Sequence, residues 1–170
     1  QCHLFAGAPA GAKIAACVAS IRATGGVLDA RGIDGAQSIT VDMMAGVTAP
    51  VTLHLGVGTY TISAAQTWPT GFRLLGQGRL QTVLKSSTAV AQWTHSYATN
   101  TETYSEMAHV ALDGNSVGTT GLLIQKAASF LVQDLNISGF VTNGVQNRGG
   151  LLFTIRDSKI FANAIGFDSN

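Results

Sequence analysis

The stretch "GLLIQKAASFLVQDLNISGFVTN" (121–143) stands directly before "GVQNRGGLLFTIRDSKIFANAIG" (144–166), and the two align without a gap. Gly121 falls over Gly144, Phe130 over Phe153, Val132 over Ile155, Asp134 over Asp157 and Ile137 over Ile160, each pair 23 positions apart. The match is imperfect: Leu135 meets Ser158, Asn136 meets Lys159 and Phe140 meets Asn163. A unit of this length, holding three short strands each followed by a turn, is one coil of a parallel β-helix. Leucine-rich repeats are similar in length, but their "LxxLxL" run followed by Asn is not found here.

Equivalent strands of such a coil stack about 4.8 Å apart. That spacing sets Phe130, Val132, Leu135 and Ile137 beneath Phe153, Ile155, Ser158 and Ile160 as the expected core. Weaker echoes run toward the N-terminus. "LGVG" (55–58) returns as "LGQG" (75–78), and "MAHVALDGN" (107–115) resembles "VQDLNISGF" (132–140), so five or six units fill the chain. In "VTLHLGVGTYTIS" (51–63), Val51, Leu53 and Leu55 alternate with Thr52 and His54, which predicts two strands around a glycine turn.

One segment has a different period. "AGAKIAACVASIRATGG" (10–26) places Ile14, Cys17, Val18 and Ile21 at helical spacing and stops at Gly25-Gly26, predicting a helix over 11–23. A coil buries its apolar residues only against neighbouring coils, so a stack needs covers, and this helix is placed to cap the first one. The expected organisation is a tail and capping helix over 1–26 and β-helix coils over 27–170, left incomplete at the C-terminal end, where "GFDSN" (166–170) reads as the start of another strand. Three expectations stand for that end: a longer stack cut short, a surface for self-association, or a cover made by the last residues themselves.

Composition agrees with strands and turns. Charged residues make up 11% of the chain, against about 25% in ordinary domains, while Gly occurs 20 times and Glu twice. The net charge is +1 and no two basic residues are adjacent, which argues against nucleic acid as a partner. No run of eighteen apolar residues is present, so no bilayer-spanning helix is expected. Cys2 and Cys17 are the two cysteines; they are read as a disulfide tying the tail to the helix, in a secreted or cell-surface protein, and they lack the His spacing of a zinc site.

"ATGGVLDARG" (23–32), "APVTLHLGVGTYTIS" (49–63) and "GFRLLGQGRLQTVLKSS" (71–87) resemble the N-terminal coils of the pectate-lyase-like right-handed parallel β-helix superfamily. The resemblance implies an all-β, single-stranded right-handed solenoid with an N-terminal capping α-helix. It leaves function wide, since that superfamily holds polysaccharide lyases, glycoside hydrolases, phage tailspikes, adhesins and non-catalytic proteins. The lyases imply Ca²⁺ on an Asp cluster with an Arg or Lys base, and the hydrolases imply "NTD", "DD", "GHG" and "RIK" segments. None of these is present, so no catalytic residue is assigned.

Two groups of residues remain as candidates. Asp134 and Asp157, stacked one coil apart with Arg156 and Lys159 nearby, form an acidic and basic cluster that suits an acidic sugar or a weakly held Ca²⁺. The competing reading puts both aspartates at a tight turn, because Val132 and Leu135 both point inward and the alternation breaks between them. The segment 88–106 interrupts the periodicity and reads as a protruding loop carrying Trp93, Tyr97 and Tyr104 among Thr, Ser and Asn. Such aromatics suit stacking on a sugar face, or else they are buried as the loop folds back over a sheet. Trp68 before Pro69 reads as turn packing, "GVG" and "GQGR" as turns rather than phosphate loops, and the four histidines as surface or turn residues without catalytic partners. "NIS" (136–138) matches a glycosylation acceptor but falls within a predicted strand. The functional expectation is the N-terminal part of an extracellular carbohydrate-active protein acting on polysaccharide. Its alternative is a non-catalytic adhesin, tailspike-like or filament-forming module.

Overall fold

The computed structural model describes residues 1–4 and 10–169, with main chain alone at His3 and 98–103. After a short 3₁₀ turn (Cys2–Leu4) and helix α1 (Ala10–Ala19), the chain winds as a parallel β-helix. Its strands are β1 (Gly26–Ala30), β2 (Gly35–Ile39), β3 (Val51–Leu55), β4 (Gly58–Ile62), β5 (Gln66–Thr67), β6 (Arg73–Leu75), β7 (Thr82–Ser86) and β8 (Trp93–Ala108). They continue as β9 (Ala111–Asp113), β10 (Thr120–Gln133), β11 (Asn136–Ser138), β12 (Asn143–Arg148), β13 (Leu151–Arg156), β14 (Lys159–Phe161) and β15 (Ile165–Ser169).

Every pairing is parallel and joins one coil to the next. Face two of the coil is β2, β4, β7, β9, β11 and β14 in that order. The other sheet bends round a corner and makes two faces. Face one holds β1, β3, β6, the second halves of β8 and β10, and β13; face three holds β5, the first halves of β8 and β10, β12 and β15. The predicted stack is observed in register: Phe130 pairs with Phe153, Val132 with Ile155 and Ile137 with Ile160.

Corners recur in the same way along the stack. Tyr104, Ser129 and Leu152 all have positive φ (44°, 61°, 52°) just before face one, and His109, Asp134 and Asp157 (60°, 50°, 52°) just after it. A left-handed residue turns the chain where the ladder shifts register or a strand ends, and lets inward side chains fall on both sides of it. Gly58 serves a related turn: its φ is 146°, and a Cβ there would lie 2.1 Å from the Gly35 carbonyl oxygen of the coil below.

The core is one continuous column of inward side chains, thickest where Trp68, Phe72, Trp93 and Phe130 meet edge-on or tilted at centroid distances of 4.7–5.9 Å. Trp68 is therefore a core residue rather than turn packing. Helix α1 caps the first coil with Ile14, Cys17 and Val18, and approaches so closely that a Cβ on Gly11 would lie 2.9 Å from the Ile39 Cα. The helix ends at Ala19, short of the predicted 23, because Ser20 and Ile21 bond the third residue back and the Ser20 hydroxyl donates to the Cys17 carbonyl at 2.7 Å. A disulfide joins Cys2 to Cys17, with Cα atoms 5.3 Å apart. Among the described residues no helix is long and apolar enough to cross a membrane.

Candidate functional site

The outer surface of face one carries a ladder of register partners, Val27, Thr52, Arg73 and Glu106, one from each of four successive coils. At its N-terminal edge lies a groove of about 560 Å³, lined by Val27, Pro50, Thr52, Thr70, Arg73 and Tyr104 together with Gly26 and Gly71. The lining is mainly apolar, with hydroxyl groups from Thr52, Thr70 and Tyr104 and one guanidinium.

An irregular corner builds this groove. Thr67 pairs with Thr94 and Arg73 with Glu106, so residues 94–106 cover the span that 67–73 cover in the coil below. The surplus stands out at the corner between faces three and one. Tyr97 turns back from it: its hydroxyl accepts the Thr70 N–H at 3.0 Å and lies 2.6 Å from the Thr70 hydroxyl, while its ring tilts against His95 at 4.6 Å. Tyr104 closes the corner with 74% of its surface exposed and lines the groove. Beneath it, Arg73 places Nε 2.9 Å from Glu106 Oε2 and a second guanidinium nitrogen on the same oxygen.

The three aromatics expected to meet a sugar thus separate. Trp93 is fully buried on β8, pointing inward beside Trp68, and is corrected to a core residue. Tyr97 is half-buried and holds the corner, and Tyr104 reaches the groove. The segment 88–106 is mostly strand β8 rather than a loop, and the excursion is confined to its bend.

The acidic and basic cluster does not gather round one point. Asp134 and Asp157 occupy the left-handed turn positions between faces one and two, and Val132 and Leu135 are buried on either side of Asp134. The Asp134 carboxylate lies 2.9 Å from His109 Nδ1 and 3.3 Å from an Arg79 nitrogen, and the same Arg79 nitrogen donates to the Asp157 carbonyl at 2.7 Å. Arg156 donates to Gln133 on the adjoining strand, and Lys159 is exposed on β14, on the neighbouring face. Ca²⁺ takes six to eight oxygen ligands. Here Asp134 is engaged by Arg79 and His109, and among the described residues no three His, Cys, Asp or Glu side chains converge, so the cluster does not fit the ion.

His109 does have a partner, which the sequence reading missed. Asp134 holds its Nδ1 in a half-exposed setting, an oriented His–Asp pair of the kind that can move a proton. The signal was present in the echo of "MAHVALDGN" on "VQDLNISGF", which sets His109 over Asp134. His95 differs: it is fully buried, donates to the Trp68 carbonyl through its Nδ1–H (2.9 Å), has no partner at Nε2, and its pKa is pushed down by burial. Asp29, at the outer edge of face one, is held well below the usual carboxylate range by hydrogen bonds from Arg31.

No family model matches the chain, and no curated protein matches it. Among solved structures, ORF18 of Geobacillus virus E2 superposes with a TM-score of 0.55 at 14% sequence identity, over 84% of this chain and 25% of the viral one. The two chains share a fold. At that identity the likeness extends to the fold and no further, and this chain spans about a quarter of the viral protein's length.

Proposed function

We propose that this chain is a non-catalytic, glycan-binding β-helix module of a secreted or surface-displayed protein, with a role like that of a tailspike or adhesin. The observation that carries this reading is the face-one groove, a mainly apolar hollow lined by the exposed Tyr104 together with Thr52, Thr70 and Arg73. Sugars are bound by such pairings of a flat aromatic with a few hydroxyl and amide groups. The fold shared with a viral protein supports the module reading, and the Cys2–Cys17 disulfide suits an oxidising compartment.

The test is a glycan panel probed with the wild-type chain and with Tyr104→Ala. Binding that falls at least about tenfold in the variant supports the reading, since one stacked ring contributes about 1.4 kcal/mol or more. Equal binding by both proteins, or none by either, overturns it. Release of reducing ends or unsaturated sugars by the wild type restores the polysaccharide lyase or hydrolase alternative.

A further inference from the structure

Two ion pairs lie on the N-terminal strands of face one. Asp29 is clasped by Arg31 through both carboxylate oxygens, and Glu106 Oε2 receives two nitrogens of Arg73. Among the described lining residues of the groove, Arg73 is the one charged side chain. Of the pair, Glu106 is the more enclosed, its side chain 18% exposed against 47% for Arg73, so the carboxylate is set under the guanidinium rather than reaching up from solvent. It is also fixed by strand register, because Arg73 and Glu106 are direct neighbours on β6 and β8.

We propose that the groove selects neutral saccharides and that Glu106 sets this choice by occupying Arg73; the proposal rests on the glycan-binding reading above. A free arginine is the natural fork for a carboxylate or sulfate, binding it bidentately. Here an incoming uronate meets a guanidinium already engaged and a second carboxylate one strand away. It must shed its water against a pair with little net charge to offer, whereas like charges at close range disfavour the complex. A neutral pyranose makes no such demand: its face meets Tyr104 and its hydroxyls meet Thr52, Thr70 and the outward nitrogen of Arg73.

Three proteins test this on one immobilised array holding neutral and uronate-containing oligosaccharides: wild type, Glu106→Gln and the double variant Arg73→Gln/Glu106→Gln. Thermal melts establish that each is folded, and the double variant keeps the two positions uncharged should the single one be unstable. The expected result is wild-type binding to neutral glycans at least about tenfold above uronates, a gain of about tenfold in uronate binding for Glu106→Gln, and loss of that gain in the double variant. Wild-type preference for uronates overturns this inference while leaving glycan binding in place. An unchanged profile in Glu106→Gln also overturns it. Absence of binding to either class overturns the reading on which it rests.

Discussion

Two regions of the same column obey the same winding rule and differ in what it yields. In the middle coils Phe130, Leu135 and Ile137 are buried to 1% exposure or less, held between a coil above and a coil below. One coil further on, the register partners Phe153, Ser158 and Ile160 are only half-buried, and Leu152, Ile165 and Phe167 are 73%, 49% and 45% exposed. Phe130 and Phe153, and Ile137 and Ile160, are the same residue at the two levels, and the rings of Phe153 and Phe167 even stack with planes 7° apart. Burial in a solenoid is therefore a property of the neighbouring coil as well as of the residue. The groove lies nearer the N-terminal end than either level, on coils of unequal length.

The largest difference is expected when the same ring is removed at both levels. Phe130→Ala should cost about 3–5 kcal/mol in chemical unfolding and Phe153→Ala less than half as much. Equal losses would show that the last coil is packed as tightly as the middle. Next comes the cap: replacing Cys2 and Cys17 with Ser should cost about 2–4 kcal/mol, because the bond closes a short loop and pins α1 on the first coil. Thermal melts with and without reductant should then coincide for the variant and differ for the wild type.

A third, smaller effect is titratable. Burial keeps the His95 imidazole neutral and its pKa below the ordinary value of about 6.5, so the unfolded chain takes up a proton more readily than the folded one. Stability should be full above that value and decline as the pH falls toward the folded pKa. His95→Asn, which keeps a donor for the Trp68 carbonyl, should flatten this slope in melts between about pH 7.5 and 5. The smallest expected effect is at the turns. Asp134→Gly relieves a left-handed backbone but removes the Arg79 and His109 contacts, so its net change should stay within about 1 kcal/mol, with Asp134→Ala the worse of the two.

The fold was legible in the sequence because its period is carried by residues that stack on themselves. Phe130 over Phe153 and Asp134 over Asp157 state the coil length, and the turn position of the aspartates follows from Val132 and Leu135 pointing the same way. The helix and its disulfide partner were legible for similar local reasons. The groove was not, because Val27, Thr52, Arg73 and Tyr104 come from four coils of unequal length, and no spacing joins them. Trp93 was misplaced because the corner surplus lies after it, at the bend of β8, so its own strand keeps the inward alternation that buries it beside His95.

Amide shifts of the labelled chain, mapped as a neutral oligosaccharide is titrated in, locate the contact surface most directly. The groove reading predicts that the perturbed amides gather on Val27, Thr52, Thr70, Arg73 and Tyr104 and that Tyr104→Ala abolishes them. Perturbations centred on His109 and Asp134, or on the half-exposed residues of the last coil, would contradict it and place the contact surface elsewhere on the solenoid.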